Sequence, residues 1–486
     1  MNDLAHIVAN RGLRHVLFSF TDLFGVQRAK LVPASAVAAL AEGGAGFAGF
    51  AAWLHLTPAD PDVLALPDPA SLMVLPWQRD VAWVATDLVV EGQPLEQAPR
   101  RVLQQQLKRA EALGYQFRSG VEAEFFLLDP EQGGVADRFD RQSKPCYDQL
   151  SLMRRYPLIS ELIGAMEELG WGPYQADHED ANGQFELNWT FADALTTADR
   201  HAFFKVMAAT LAEKHGCGVS FDPKPIEGLT GNGAHLHVSL WQGGRNLFHD
   251  PSGEKGLSAL AYHFLGGLLA HARALCALTN PLPASYRRLA RASTSSGSTW
   301  SPAWISYGGN NRTHLVRIPD DQRLELRLPD GAANPYLLQA AVLAAGLDGI
   351  ERQLDPGPRS DANTYTDPPA PGTAQPLPGS LEEALEAFAA DTTLQDALGS
   401  EFCSAYQELV ALLPARGGGM RPTKPGTSCP GFGAPNHRTG LAYIFEGQMT
   451  ERRGPGFAPL VPGPGGVALE STALPRLITP APALAR

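Results

Sequence analysis

Over residues 1 to about 95, hydrophobic and polar positions change over in short runs. HVLFSFTDLFG, AKLVPA, SLMVLPW and VAWVATDLVV are separated by Gly, Pro and Asp. Runs of this length, rich in Val, Phe and Trp and bounded by turn residues, predict strands, so residues 1–97 read as a small sheet domain. The period then changes. PRRVLQQQLKRAEALGY carries apolar residues at helical spacing and stops on Gly114, which opens a second domain over 98–415 with a helix. Within it strands alternate with helices, the clearest helices being ISELIGAMEELG, DRHAFFKVMAATLAEKHG and NPYLLQAAVLAAGLDGIERQL. A Pro-rich stretch, DPGPRSDANTYTDPPAPGTAQPLPGS, reads as a loop leading to the helix SLEEALEAFAAD. The tail, 416–486, is dense in Pro, Gly and Arg and has no sustained period, a composition that predicts disorder.

Composition narrows the class. A chain of 486 residues suits two or three domains, and 44 % hydrophobic content with mixed charges is that of a globular protein. The formal charge of −12 and the lack of a Lys/Arg-rich run give no nucleic-acid footprint. Five scattered cysteines without CxxC spacing argue against a disulfide framework or a zinc site and fit a reducing cytoplasm. No signal-peptide pattern opens the chain, and no window of eighteen apolar residues predicts a membrane span.

Four segments offer metal- or phosphate-binding side chains at strand spacing. In GVEAEFFLL, Glu122 and Glu124 lie on one strand face, because side chains repeat every two residues. Two buried like charges are costly unless a cation neutralises them or one stays protonated, so the pair reads either as a cation site or as a solvated strand end. In DHEDANGQFELNW, Glu179 and Glu186 flank a Gly-containing turn, a weak signal by itself. In GNGAHLHVSLW, His235 and His237 share a face after a Gly-rich loop, where a ligand role outweighs that of a satisfied core histidine. In QRLELRLPD, Arg323, Glu325 and Arg327 share a face, either as a salt-bridge ladder or as a ligand between two bidentate clamps. Arg312 and Arg317 in NNRTHLVRIP and Arg287 and Arg288 in SYRRL add positive charge. Five carboxylates with imidazole suit Mg²⁺ or Mn²⁺, and divalent cations beside arginines make a phosphoryl-transfer kit. There is no Walker A loop, so the nucleotide must be held differently.

VEAEFFL, HEDANGQFELNW, GNGAHLHVSL, NNRTHLVRIP and RLELRLPDGAANPYL, in this order, resemble the bacterial glutamine synthetases, most closely the type III or GlnT-like branch that includes γ-glutamylmethylamide synthetase. The resemblance spans about residues 12–412. It implies an α+β protein, with an N-terminal β-grasp domain followed by a catalytic domain whose curved antiparallel sheet holds the site. It implies Glu124, Glu179 and Glu186 around one divalent cation and Glu122, His235 and Glu325 around a second. His237, Ser239 and Arg323 would contact ATP, Gly231, Arg288 and Arg327 would contact glutamate, and Arg312, Arg317 and Arg327 would face the transferred phosphate. The implied reaction is ATP-dependent ligation of ammonia or a small amine to the γ-carboxylate of glutamate. Alternatives are γ-glutamylation of a polyamine and a non-catalytic binding relative. The resemblance also implies a cytoplasmic homo-oligomer of hexameric rings, up to a dodecamer, with no nucleic-acid or membrane partner.

The sequence departs from the family pattern at several places. Trp300 stands where a site-closing glutamate is expected, and AEGGAGFAGFAAW lacks the aspartate that helps bind ammonium. An aromatic ring and small apolar residues would suit an alkylamine, whose methyl group gains from burial. Thr230 replaces an asparagine beside the glutamate contact, and Tyr365 lies near a tyrosine that some relatives modify. After EFCSAYQEL the expected helical segment gives way to Pro/Gly/Arg-rich sequence, a break that a frameshift near residue 411 would produce.

Overall fold

A computed structural model describes residues 4–290 and 294–412. The tail beyond residue 412, with the disorder and frameshift expectations attached to it, lies outside the described residues.

The N-terminal runs pair into a mixed sheet of β1 (His15–Thr21), β2 (Gln27–Pro33), β3 (Ala45–Phe47), β4 (Val63–Pro67), β5 (Met73–Leu75), β6 (Gln78–Val90) and β7 (Gln93–Pro94). The path runs β2-β1-β6-β4-β3, with β5 and β7 also on β6. The β1–β2 hairpin is antiparallel, while β1 and β6 are parallel, as a grasp-type sheet requires. Two short helices that the strand pattern did not announce, Leu4–Asn10 and Val37–Gly43, put Leu4, Val8 and Val37 against Val16, Phe18 and Val84 of this sheet.

The second sheet carries the chemistry. Its strands are β8 (Gln116–Leu128), β9 (Pro173–His178), β10 (Gln184–Trp189), β11 (Ala192–Asp193), β12 (Gly218–Ser220), β13 (Ala234–Gln242), β14 (Arg245–Asn246), β15 (Tyr307–Gly308), β16 (Val316–Arg317) and β17 (Leu324–Leu326). The order is β15-β16-β17-β13-β8-β10-β9, and every pairing except β15–β16 is antiparallel. The α+β class expected from the sequence is therefore the observed one. Helices Pro99–Ala112, Tyr156–Glu168, Ala194–Lys214, Pro335–Glu351 and Leu381–Ala390 form where helical spacing predicts them. Pro335–Glu351 is buried almost all round. It starts on Asn334, whose side chain accepts from the Tyr336 and Leu337 amides, with Pro335 at the position where a missing N–H is harmless. Among the described residues no helix is long and apolar enough to cross a membrane.

The two sheets are fastened by charge as well as by packing. Arg100, only 6 % exposed, donates to Asp68 (2.7 Å) and Asp87 (2.6 Å) of the N-terminal part and to Asp199 (3.1 Å) of the helix Ala194–Lys214. The Tyr336 hydroxyl donates to the same Asp199 (2.7 Å), and the Asn334 amide donates to the carbonyl of Asp22 (2.8 Å). Trp77 stacks on Phe203 at 5.8 Å between ring centres, so aromatic surface closes the same junction.

Candidate active site

Strand register brings the four sequence segments onto one face. His235 on β13 stands opposite Glu122 on β8, Glu186 on β10 is opposite both Glu124 and Asp177, and Glu325 on β17 is opposite His237 and Arg317. Alternation does the rest, since residues two apart on a strand point to the same side.

At the β17–β13–β8 side, Glu122 meets both histidines, Oε2 to His235 Nδ1 at 3.1 Å and Oε1 to His237 Nε2 at 2.8 Å. His235 Nδ1 also lies 3.9 Å from Glu124 and 3.8 Å from Glu325. Glu325 is fully buried between Arg317 and Arg327, each donating at 2.5 Å. Burial opposes its ionisation, but Arg327 and then His237 hold the carboxyl down at about 2. Glu122 likewise stays well below the usual carboxylate range, because the histidine hydrogen bonds outweigh its burial. At the β8–β10–β9 side the balance is reversed. Burial, then the charge of Glu124, pushes Glu179 up to about 8. Glu186 is raised well above its ordinary value by burial and by Glu122, Glu179 and Glu124. A buried carboxylate group this crowded is short of positive charge.

Two sets of ligand atoms lie close enough to share an ion: Glu122 with His237 and Glu325, and Asp177 with Glu179 and Glu186. Asp177 was not singled out from the sequence. The only signal for it was its place two residues before Glu179, since an acid ahead of a turn is ordinary. His237, which the resemblance gives to ATP, is the histidine in the first set, while His235 sits between Glu122, Glu124 and Glu325. Oxygen-rich sets with at most one imidazole suit a hard divalent cation, and the repulsion that raises Glu179 and Glu186 is what such a cation would relieve.

The other expected residues surround this face. Arg323 donates to His237 Nδ1 (3.0 Å), and Ser239 accepts from the Trp241 indole (2.9 Å). Both line a cavity of about 510 Å³ that Glu122 and His237 also border, with Phe191 stacked on Trp241 and Arg118 over the same indole at 4.6 Å. Arg288 is buried and donates to the Leu328 carbonyl (3.0 Å). At Gly231 a Cβ would come within 2.1 Å of the Pro223 carbonyl, so only glycine fits. Arg312 is exposed and meets the cluster through its carbonyl, which accepts from Arg327 Nε (3.2 Å). Trp300 donates its indole N–H to Asp180 (2.6 Å), and its carbonyl accepts from Arg327 (3.2 Å). Thr230 also donates to Asp180 (3.2 Å). Burial raises the Tyr365 phenol, with the Arg327 charge pulling against it.

Residues 96–411 match the family model of the glutamine synthetase catalytic domain. The chain belongs to that family. It is 53 % identical over 409 residues to a glutamine synthetase of Rhizobium meliloti (strain 1021), covering 84 % of this chain and 94 % of the relative. It is 45 % identical over 396 residues to a glutamate–methylamine ligase of Methyloversatilis universalis, covering 80 % and 89 %. A solved structure of GmaS in complex with ADP superposes with a TM-score of 0.82 at 56 % identity, covering 85 % of this chain and 95 % of that one. Family membership and the α+β fold expected from the motifs thus hold.

Proposed function

We propose that this chain is an ATP-dependent ligase joining the γ-carboxylate of glutamate to ammonia or a small amine through γ-glutamyl phosphate. The observation that carries the reading is the single sheet face on which Glu122, Glu124, Asp177, Glu179, Glu186 and Glu325 meet two histidines beside Arg317, Arg323 and Arg327. A free carboxylate is a poor acyl donor and must first be activated. An oxygen of the glutamate γ-carboxylate attacks the γ-phosphorus of ATP, and ADP leaves with the electrons of the broken P–O bond. The amine nitrogen then attacks the γ-carbonyl carbon. A C–N bond forms, the C–O bond to phosphate breaks with its electrons going to phosphate, and the surplus proton on nitrogen passes to solvent.

The residues divide this work. His237, Ser239 and Arg323 border the cavity that would take ATP, with the Phe191 and Trp241 rings supplying flat apolar surface. Gly231, Arg288 and Arg327 would seat glutamate, and Arg312, Arg317 and Arg327 would neutralise charge on the transferred phosphate. Glu124, Glu179 and Glu186 would hold one Mg²⁺ or Mn²⁺, and Glu122, His235 and Glu325 the other. Such ions would shield the phosphate oxygens from these carboxylates. The same reading includes an N-terminal domain at 1–97, a catalytic domain at 98–415, a cytoplasmic location and assembly into hexameric rings.

The test is phosphate release with ATP, Mg²⁺ and glutamate while ammonium, methylamine, ethylamine or putrescine is added in turn. Release that requires both glutamate and an amine is expected. Folded protein that releases none with any of the four would overturn the reading.

A further inference from the structure

Asp180 follows the candidate ligand Glu179 in the turn between β9 and β10 and is 5 % exposed. Among the described residues no Lys or Arg pairs with it. One oxygen, Oδ2, instead takes the Trp300 indole N–H (2.6 Å), the Thr230 hydroxyl (3.2 Å) and the Ser296 hydroxyl. Two of these three donors belong to the segment 294–300, and the third is beside Gly231. The Thr230 hydroxyl is also within reach of the Ser298 carbonyl (3.2 Å), so the segment is drawn onto the Gly-rich loop as well as onto Asp180.

Trp300 itself has φ +54°, a left-handed conformation that a bulky L-residue adopts only when its surroundings over-determine it. Both ends of the residue are tied. The indole is held by Asp180 and the carbonyl by Arg327, which also pairs with Glu325. Trp300 therefore spans from the turn carrying Glu179 to the strand end carrying Glu325 and Arg327, and so links the two candidate cation-ligand sets. An aromatic face attracts an ammonium group and also buries carbon, whereas ammonium itself offers no carbon to bury.

We propose that Asp180 is a positioning residue that latches Trp300 across the site, so that the indole forms the wall against which the alkyl group of a primary alkylamine packs and thereby favours such amines over ammonium. The acceptor half of this proposal rests on the ligase reading above.

The test compares wild-type protein with D180A, W300F and W300A. W300F keeps an aromatic ring and leaves the Glu179 turn untouched, while losing the N–H that reaches Asp180. Hydrogen exchange of the segment 294–301 reports the latch without any need for turnover. It is expected to speed up in D180A and in W300F, and unchanged exchange in both would overturn the latch. The acceptor half is read as the ratio of kcat/KM for methylamine to kcat/KM for ammonium. The ratio is expected to fall about tenfold in W300A, the scale by which a pocket discriminates one methyl group. The fall should come mainly through the KM for methylamine, with the KM for ATP unmoved. In the D180A/W300F double variant the loss should not exceed that of the worse single variant, because both act through one contact. A W300A ratio equal to that of wild type would overturn the wall. Wild-type protein inactive with both amines would instead sink the ligase reading and the acceptor half with it, while the exchange comparison would still decide the latch.

Discussion

Removing divalent cations should make the stability of this protein fall as pH rises through the neutral range. Glu179 is raised to about 8 by burial and neighbouring carboxylates, and Glu186 is raised well above its ordinary value by burial and by Glu122, Glu179 and Glu124. A carboxyl whose folded pKa lies above its unfolded value of 4.5 keeps its proton in the fold after the unfolded chain has lost it. Between those two values the folded state binds more protons, so stability declines with each rise in pH. One pKa unit is worth about 1.4 kcal/mol, so Glu179 alone costs the metal-free fold roughly 4–5 kcal/mol by pH 8.5, with about 1 kcal/mol of it arising above pH 7. Glu186 adds a cost of the same sign. Total stabilities are typically about 5–15 kcal/mol, so the effect is large enough to see. Glu325 and Glu122 do not interfere, because both are held below their ordinary values and stay ionised throughout this interval. Thermal melts in chelator and in saturating Mg²⁺ at pH 7.0 and 8.5 make the assay. The midpoint in chelator should be lower at pH 8.5. Mg²⁺ should raise it at both values and by more at pH 8.5, since protons compete with the ion for these oxygens. A Mg²⁺ effect that is absent, or equal at the two pH values, would refute the view that Glu179 and Glu186 belong to a cation site.

Three further outcomes follow from the geometry. Arg100→Ala leaves Asp199 buried without its guanidinium, and a melt should show a loss of about 3–5 kcal/mol. Gly231→Ala places a methyl group against the Pro223 carbonyl and should raise the KM for glutamate at least tenfold, or unfold the loop; an unchanged KM would remove Gly231 from the site. His271 lies between Asp391 (2.6 Å) and Asp348 (2.9 Å), and although burial pulls its pKa down, these partners raise it above 6.5. Its stabilisation is therefore full below pH 6.5 and is lost as pH rises through the raised value, so His271→Ala should cost more at pH 6 than at pH 9.

Much of the site was legible because strands write it in a period of two. Glu122 with Glu124, His235 with His237, and Arg323 with Glu325 and Arg327 each share a face by spacing alone, and register then places those faces side by side. What the spacing could not give is which distant residues meet. Arg100 sits in an amphipathic helix where an arginine looks solvated, yet three aspartates far apart in sequence enclose it. Asp177 and Asp180 looked like ordinary turn acids, and only the pairing of β9 with β10 and the fold of segment 294–300 give them neighbours. The helices Ala259–Ala270 and Ala272–Thr279 are harder to read, the first because it contains the glycine pair Gly266 and Gly267 and the second because it is only eight residues long.

Whether glutamate is activated as an acyl phosphate is read most directly from oxygen transfer. Glutamate labelled with ¹⁸O in its γ-carboxylate is turned over with ATP, Mg²⁺ and each amine, and the released phosphate is weighed by mass spectrometry. One ¹⁸O from glutamate is expected in each phosphate, together with a product in which nitrogen has replaced that oxygen. Unlabelled phosphate, carrying oxygen from water instead, would mean simple ATP hydrolysis and would rule out the acyl phosphate.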